Sequence, residues 1–204
     1  GPGGLGRIKN LRLKDPVFIQ QMIQRGREAD EKVKTEFSNI TLQQLNWKPD
    51  TESWSIGQCL DHLIIADCSY FPIFKKITKK NSDPDGYRES FWENWSPFGW
   101  LFGKIMVTQV QEKSRRKLNA PKIFHPDESK TDPGIFERFH KHLDSLIEYI
   151  SYCRTVDLDK THITSPVSKF VTYNLRNAIT LLIQHEHRHI NQAIRIKNSK
   201  GFPV

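Results

Sequence analysis

The sequence predicts an all-α protein, a four-helix bundle, and three features carry that prediction. Four stretches place apolar residues three and four positions apart over about twenty residues each, the spacing that lays one apolar face along a helix. Three of them open on a capping residue or a cap followed by proline. No segment shows a strand period strong enough to compete. The 204 residues are 37% hydrophobic and 26% charged, which suits one domain able to bury a core without disulfide or metal staples. No apolar run reaches the about 18 residues of a membrane-spanning helix. The densest, Phe98 to Val107, is broken by Gly99, Gly103 and Lys104.

The first helix runs from Pro16 to Phe37, with Phe18, Met22, Ala29, Val33 and Phe37 on its apolar face. Asp15 caps it, and Pro16 takes the first position, where a missing N–H costs nothing. Thr41 to Ser53 reads as a polar connection. The second helix opens at Ser55, which forms a capping box with Gln58, and continues to about Lys80. Lys75, Lys76, Lys79 and Lys80 complement its C-terminal dipole. From Asn81 to Lys130 runs a long excursion: a turn cluster (Asn81 to Gly86), an aromatic-rich segment (Phe91 to Phe102, with Trp92, Trp95 and Trp100), and a short helix over Ile105 to Leu118. Excursions of this length are more often elaborations or lids than plain connectors.

The third long helix begins at Thr131-Asp132-Pro133 and carries Phe136, Phe139, Leu143, Leu146, Ile147 and Ile150. Asp157 to Val171 is read as a connection, and the last helix spans about Asn174 to Lys197 before the chain frays at Ser199. The expected organisation is an N-terminal arm (1–14, partly vector-derived), one helical domain (15–198) and a short tail (199–204). The net charge of +8 permits anionic partners without choosing among them. Aromatics do not interleave with the basic groups Arg115 to Lys117 and Arg195 to Lys197, so nucleic acid is not an expected partner, and without a spanning apolar run neither is a membrane. Three scattered cysteines, Cys59, Cys68 and Cys153, with no visible signal peptide, fit a reduced, cytoplasmic protein.

The chemistry lies in the histidines. On the last helix Ala178, Leu182, His185, His189, Gln192 and Ile196 recur at steps of three and four, the inward stripe of a bundle helix. Two imidazoles thus stand where leucines belong, one turn apart, able to reach one cation at the ~2.0–2.1 Å zinc–nitrogen distance. On the second helix Cys59, His62, Ala66 and Ile73 form a similar stripe, so His62 also points inward. One such histidine is ordinarily a hydrogen-bonded core residue. Three are better explained by one divalent ion, because each buried ring would otherwise need partners for both nitrogens. His187 is expected to face solvent, opposite that stripe. His140 and His142 flank the third helix's apolar face, and His125 and His162 lie in connections. Residues 185–189 also spell the HExxH of zinc proteases, with Glu186 as a general base. No His, Asp or Glu follows His189 to complete that site, and no sheet edge is visible to hold a peptide.

Two motifs in this order resemble the DinB/YfiT-like superfamily of metal-binding four-helix bundles. They are Trp54-Ser55-Ile56-Gly57-Gln58-Cys59-Leu60-Asp61-His62-Leu63 and His185-Glu186-His187-Arg188-His189-Ile190-Asn191-Gln192-Ala193. Ala120 to Pro126 resembles a stretch of one DinB-like branch. The resemblance implies an up-down-down-up bundle with one long crossover. It also implies a divalent ion (nickel, zinc or iron) on His62, His185 and His189, and frequent homodimers. Activities in the superfamily include transfer of low-molecular-weight thiols and metal-dependent hydrolysis. The expected function is therefore a metal-dependent enzyme acting on a small molecule. Its three-histidine ion activates a low-molecular-weight thiol such as bacillithiol, or water, and Glu186 serves as acid, base or support. The alternatives are a non-catalytic metal-binding or sensing bundle, a metal-free bundle, and an HExxH metalloprotease.

Overall fold

A computed structural model describes residues 12–81, 122–126 and 130–204. Helix α1 (Pro16–Glu36) begins where the Asp15 carboxylate accepts the Phe18 N–H at 3.2 Å, with Pro16 at its first position. The connection that follows contains a short helix, α2 (Leu42–Asn46), started by a capping box of Thr41 and Gln44. This box reads as clearly as the one at Ser55, but five residues are too few to show a period.

The second long helix is two helices. Helix α3 (Ile56–Cys68) starts at the Ser55–Gln58 capping box and stops at Ser69. Helix α4 (Phe71–Asn81) then resumes. Pro72 explains the break, since it lacks the N–H that would bond the Cys68 carbonyl and its ring crowds that carbonyl. The aromatic segment and the expected helix over 105–118 lie outside the described residues. A single 3₁₀ turn, Lys122–Phe124, precedes α5 (Ile135–Tyr152). Asn46 grips Thr131 from both sides: its Nδ2 donates to the Thr131 carbonyl at 2.9 Å, and the Thr131 N–H donates to its Oδ1 at 2.6 Å. That pins α2 to the segment leading into α5.

The all-α expectation needs one correction, because His162 to Asn174 is not a plain connection. Strands β1 (His162–Ser165) and β2 (Ser168–Asn174) pair antiparallel, Ile163 opposite Tyr173 and Thr164 opposite Thr172. Pro166 and Val167 turn the hairpin, and β-branched and aromatic residues on both arms favour the extended state. Ile163 and Tyr173 are buried, and the Tyr173 hydroxyl hydrogen-bonds that of Tyr70 at the α3–α4 break. The signal was present in Ile163, Val171 and Tyr173, but the arms are short.

Helix α6 (Leu175–Lys197) starts at Asn174, whose side chain accepts the Asn177 N–H. Arg176 ties its first turn to the Asp15 cap of α1 at 2.9 Å and to Asp159 at 2.7 and 3.1 Å. Helices α1 and α3 each pack on both α5 and α6, which sets α1 diagonally across the bundle from α3. The approach of α1 is close enough to require a glycine: a Cβ on Gly26 would stand 2.9 Å from Ile147 Cγ1 of α5. Leu60, Leu63, Phe139, Leu143, Leu146 and Ile150 are completely buried between the helices. The tail does not fray. Gly201, at φ 91°, turns it back so that Phe202 meets the Trp47 ring edge-on at 5.5 Å and the Pro203 carbonyl accepts from Gln44. No helix among the described residues is long and apolar enough to cross a membrane.

Candidate metal centre

Helices α3 and α6 lie against each other, and their contact brings His62, His185 and His189 together. One ring nitrogen from each lies within 4.8 Å of the other two. Ring centroids are 4.9 Å apart for His62 and His185, and 4.5 Å for each of the other two pairs.

Hydrogen bonds orient two of the rings and decide which nitrogen each offers. Nδ1 of His62 donates to the Phe124 carbonyl at 2.6 Å, which leaves Nε2 as a lone pair. Nδ1 of His189 donates to Gln192 Oε1 at 2.8 Å, again freeing Nε2. This is the pattern in which a metal-binding imidazole is held by its second nitrogen. Nε2 of His62 faces Nε2 of His185 at 3.0 Å. Two nitrogens sharing one ion at ~2.0–2.1 Å stand roughly 2.9–3.4 Å apart, so this spacing suits shared coordination.

The electrostatics agree. Burial lowers the pKa of all three rings, and for His185 and His189 the neighbouring imidazoles lower it further. His189 falls to about 3. All three are therefore neutral near pH 7, the state that ligates. The donors present, three uncharged imidazoles with convergent lone pairs, fit a borderline divalent ion.

The seam of α6 is one residue away from the expected one. Ile179, Ile183, Glu186, Ile190 and Ala193 form its deepest stripe, while His185, His189 and Gln192 are only partly buried at its edge. Both stripes contain apolar residues, so spacing alone could not choose between them. The edge position leaves the two α6 histidines with access to solvent, as a site serving a substrate requires. His62, by contrast, is 1% exposed.

The shift also corrects the reading of His187. It is 7% exposed, and its Nε2 donates to the Arg25 carbonyl of α1 at 2.9 Å. His142 is likewise buried within the bundle, while His140 sits partly exposed against Asp30 at 2.7 Å. Glu186 is fully buried, and its Oε1 lies 3.0 Å from Nε2 of His142. Asp67 of α3 reaches the same nitrogen at 3.0 Å. Burial opposes the charge on His142, but Glu186 and Asp67 outweigh it and raise its pKa to about 11. Burial and the Glu186 charge push Asp67 up, towards the protonated form. Glu186 stays ionised: burial pushes its pKa up, and the His142 charge more than offsets that.

Two contributors to the centre were not singled out from spacing. Trp54, just before the capping box, packs its ring at a tilt against both His62, at 4.9 Å, and His189, at 5.9 Å. The Phe124 carbonyl belongs to the Ala120–Pro126 stretch, and only the fold brings it 62 positions back to His62. The aromatic-rich segment 91–102 lies outside the described residues; within them, Trp54 supplies an aromatic wall beside the histidines.

Comparison with known proteins adds the family. The model of the DinB superfamily matches residues 27–193. No curated protein matches significantly. Among solved structures, YfiT from Bacillus subtilis superposes with a TM-score of 0.54 at 17% identity, covering 91% of this chain and 89% of YfiT. It is described as a probable metal-dependent hydrolase with an unusual four-helix bundle topology, and at that identity the likeness is one of fold. The helices, the motif at Trp54–His62 and the one at His185–Gln192 therefore have a common explanation: this chain belongs to the DinB superfamily.

Proposed function

We propose that this protein is a metal-dependent enzyme of the hydrolase type acting on a small molecule, with His62, His185 and His189 as the ligands of one divalent ion. The observation that carries the reading is the orientation of the rings. His62 and His189 each spend Nδ1 on an oxygen, of Phe124 and of Gln192, and turn Nε2 towards the same space. When bound there, the ion supplies Lewis acidity, lowering the pKa of a coordinated water or thiol to near neutrality.

The chain's own residues do the rest. Phe124 and Gln192 hold two imidazoles in the ligating tautomer. Trp54 covers one flank and limits water on that side. The partial exposure of His185 and His189 opens the other flank to substrate. Among the described residues no fourth protein donor joins the three histidines, which suits an ion that keeps a position for the nucleophile. Glu186, engaged with His142, acts on the fold beneath the centre and not on substrate. A low-molecular-weight thiol in place of water would give S-transfer, and the likeness to YfiT supports water.

The test uses protein purified without a nickel column, because such columns load nickel artificially. Elemental analysis should find about one nickel, zinc or iron per chain, and the His62→Ala, His185→Ala double variant should lose it. Hydrolysis of an ester and amide panel should disappear with the ion. Turnover that survives the double variant rejects the proposal, and turnover only with added thiol reassigns the nucleophile.

A further inference from the structure

A second group of ligand-type side chains lies within the bundle, built from different residues. Asp67 comes from α3, His142 from α5 and Glu186 from α6. Glu186 follows His185 directly, so it points about 100° further round the helix. Nε2 of His142 lies 3.0 Å from Asp67 Oδ2 and 3.0 Å from Glu186 Oε1, and none of the three side chains is more than 3% exposed. Asp67, pushed towards the protonated form, also hydrogen-bonds Glu186. Asp67 Oδ1, His142 Nδ1 and Glu186 Oε2 are all buried with no hydrogen-bond partner among the described residues.

We propose that Asp67, His142 and Glu186 form a second divalent-cation site, distinct from the histidine centre and selective for oxygen-preferring ions such as Mn(II) or Fe(II). One ligand atom from each lies within 4.8 Å of the others. On binding, the ion displaces the protons that His142 and Asp67 hold in the metal-free cluster, so that two carboxylates balance the charge of a dication and His142 completes the set through one neutral nitrogen. The carboxylate oxygens left over can then share in coordination. Two oxygens and one nitrogen make a harder donor set than three imidazoles, so the two sites sort metals differently: manganese or ferrous iron here, nickel or zinc at the histidines. Three helices contribute one ligand each, so the ion would also clamp α3, α5 and α6 together.

The proposal rests on residues other than the three histidines, and its test separates the two centres. Protein with its histidine centre filled by zinc is incubated at length with Mn(II), and free Mn(II) is followed by electron paramagnetic resonance. The wild type should bind one Mn(II) per chain and melt at a higher temperature with it. The His62→Ala, His185→Ala variant should bind the same amount. The near-isosteric Asp67→Asn, Glu186→Gln variant, checked by circular dichroism, should bind none and lose the thermal shift; His142→Gln provides the same comparison should that variant not fold. Absence of Mn(II) uptake by the wild type overturns the proposal. So does undiminished uptake by the cluster variants, or uptake that vanishes only with the histidine-centre variant.

Discussion

Nε2 of His62, on α3, stands 3.0 Å from Nε2 of His185, on α6, although 123 positions separate them in the chain. The Nδ1 of His62 is already committed to the Phe124 carbonyl, so the facing atom is a lone pair and not a donor. Metal-binding consequences follow from the groups that hold these rings.

Gln192 touches the ring of His189 and has no direct role as a ligand. Gln192→Leu should weaken zinc binding about 10- to 100-fold, the usual cost of losing a partner that orients a ligating histidine. A chelator-competition titration measures it, while the melting temperature of the metal-free protein should change little.

Trp54 packs against both His62 and His189. Adding Ni(II) should quench tryptophan emission, and Trp54→Phe should remove most of the quenching without abolishing nickel binding by elemental analysis. Equal quenching in the variant would mean that other tryptophans report the ion.

Acid should destabilise the metal-free protein from about pH 6.5 downward. His62, His185, His187 and His189 all have lowered pKa values when folded, so below the ordinary value of about 6.5 the unfolded chain binds more protons than the folded one. Their stabilisation is full above that pH and is lost as pH falls, towards about 3 for His189. Asp67, raised, works in the opposite direction, one group against four. The contribution of His142, raised to about 11, is complete below pH 6.5 and adds no acid sensitivity. Thermal melts after chelation, from pH 7 to pH 5, should show the fall, and His189→Gln should flatten it.

The capping box that starts α3 is buried: the Ser55 hydroxyl accepts the Gln58 N–H at 3.1 Å, and the Gln58 side chain accepts the Ser55 N–H at 3.0 Å. Ser55→Ala should cost about 1–2 kcal/mol in denaturant unfolding. Because Trp54 precedes the cap, the same change should also reduce zinc affinity.

Local chemistry made much of this readable in one dimension. Asp15-Pro16 and Ser55–Gln58 start their helices for reasons confined to a single turn, so the starts of α1 and α3 follow from neighbouring residues alone. The same holds for the i, i+4 pairing of His185 and His189. Pro72 and the hairpin's β-branched arms were equally local, but a long apolar run masked the first and short arms the second. What the chain's order could not supply was depth and meeting. Spacing marks two adjacent stripes on α6 as apolar, and only packing against α1 and α3 decides that Glu186 and His187 are buried while His185 and His189 lie at the rim. The three-helix convergence of Asp67, His142 and Glu186, and the reach of Phe124 back to His62, have no local signature. Such contacts arise when helices far apart in sequence bury their faces on one another, because hydrophobic burial specifies a face and not a partner.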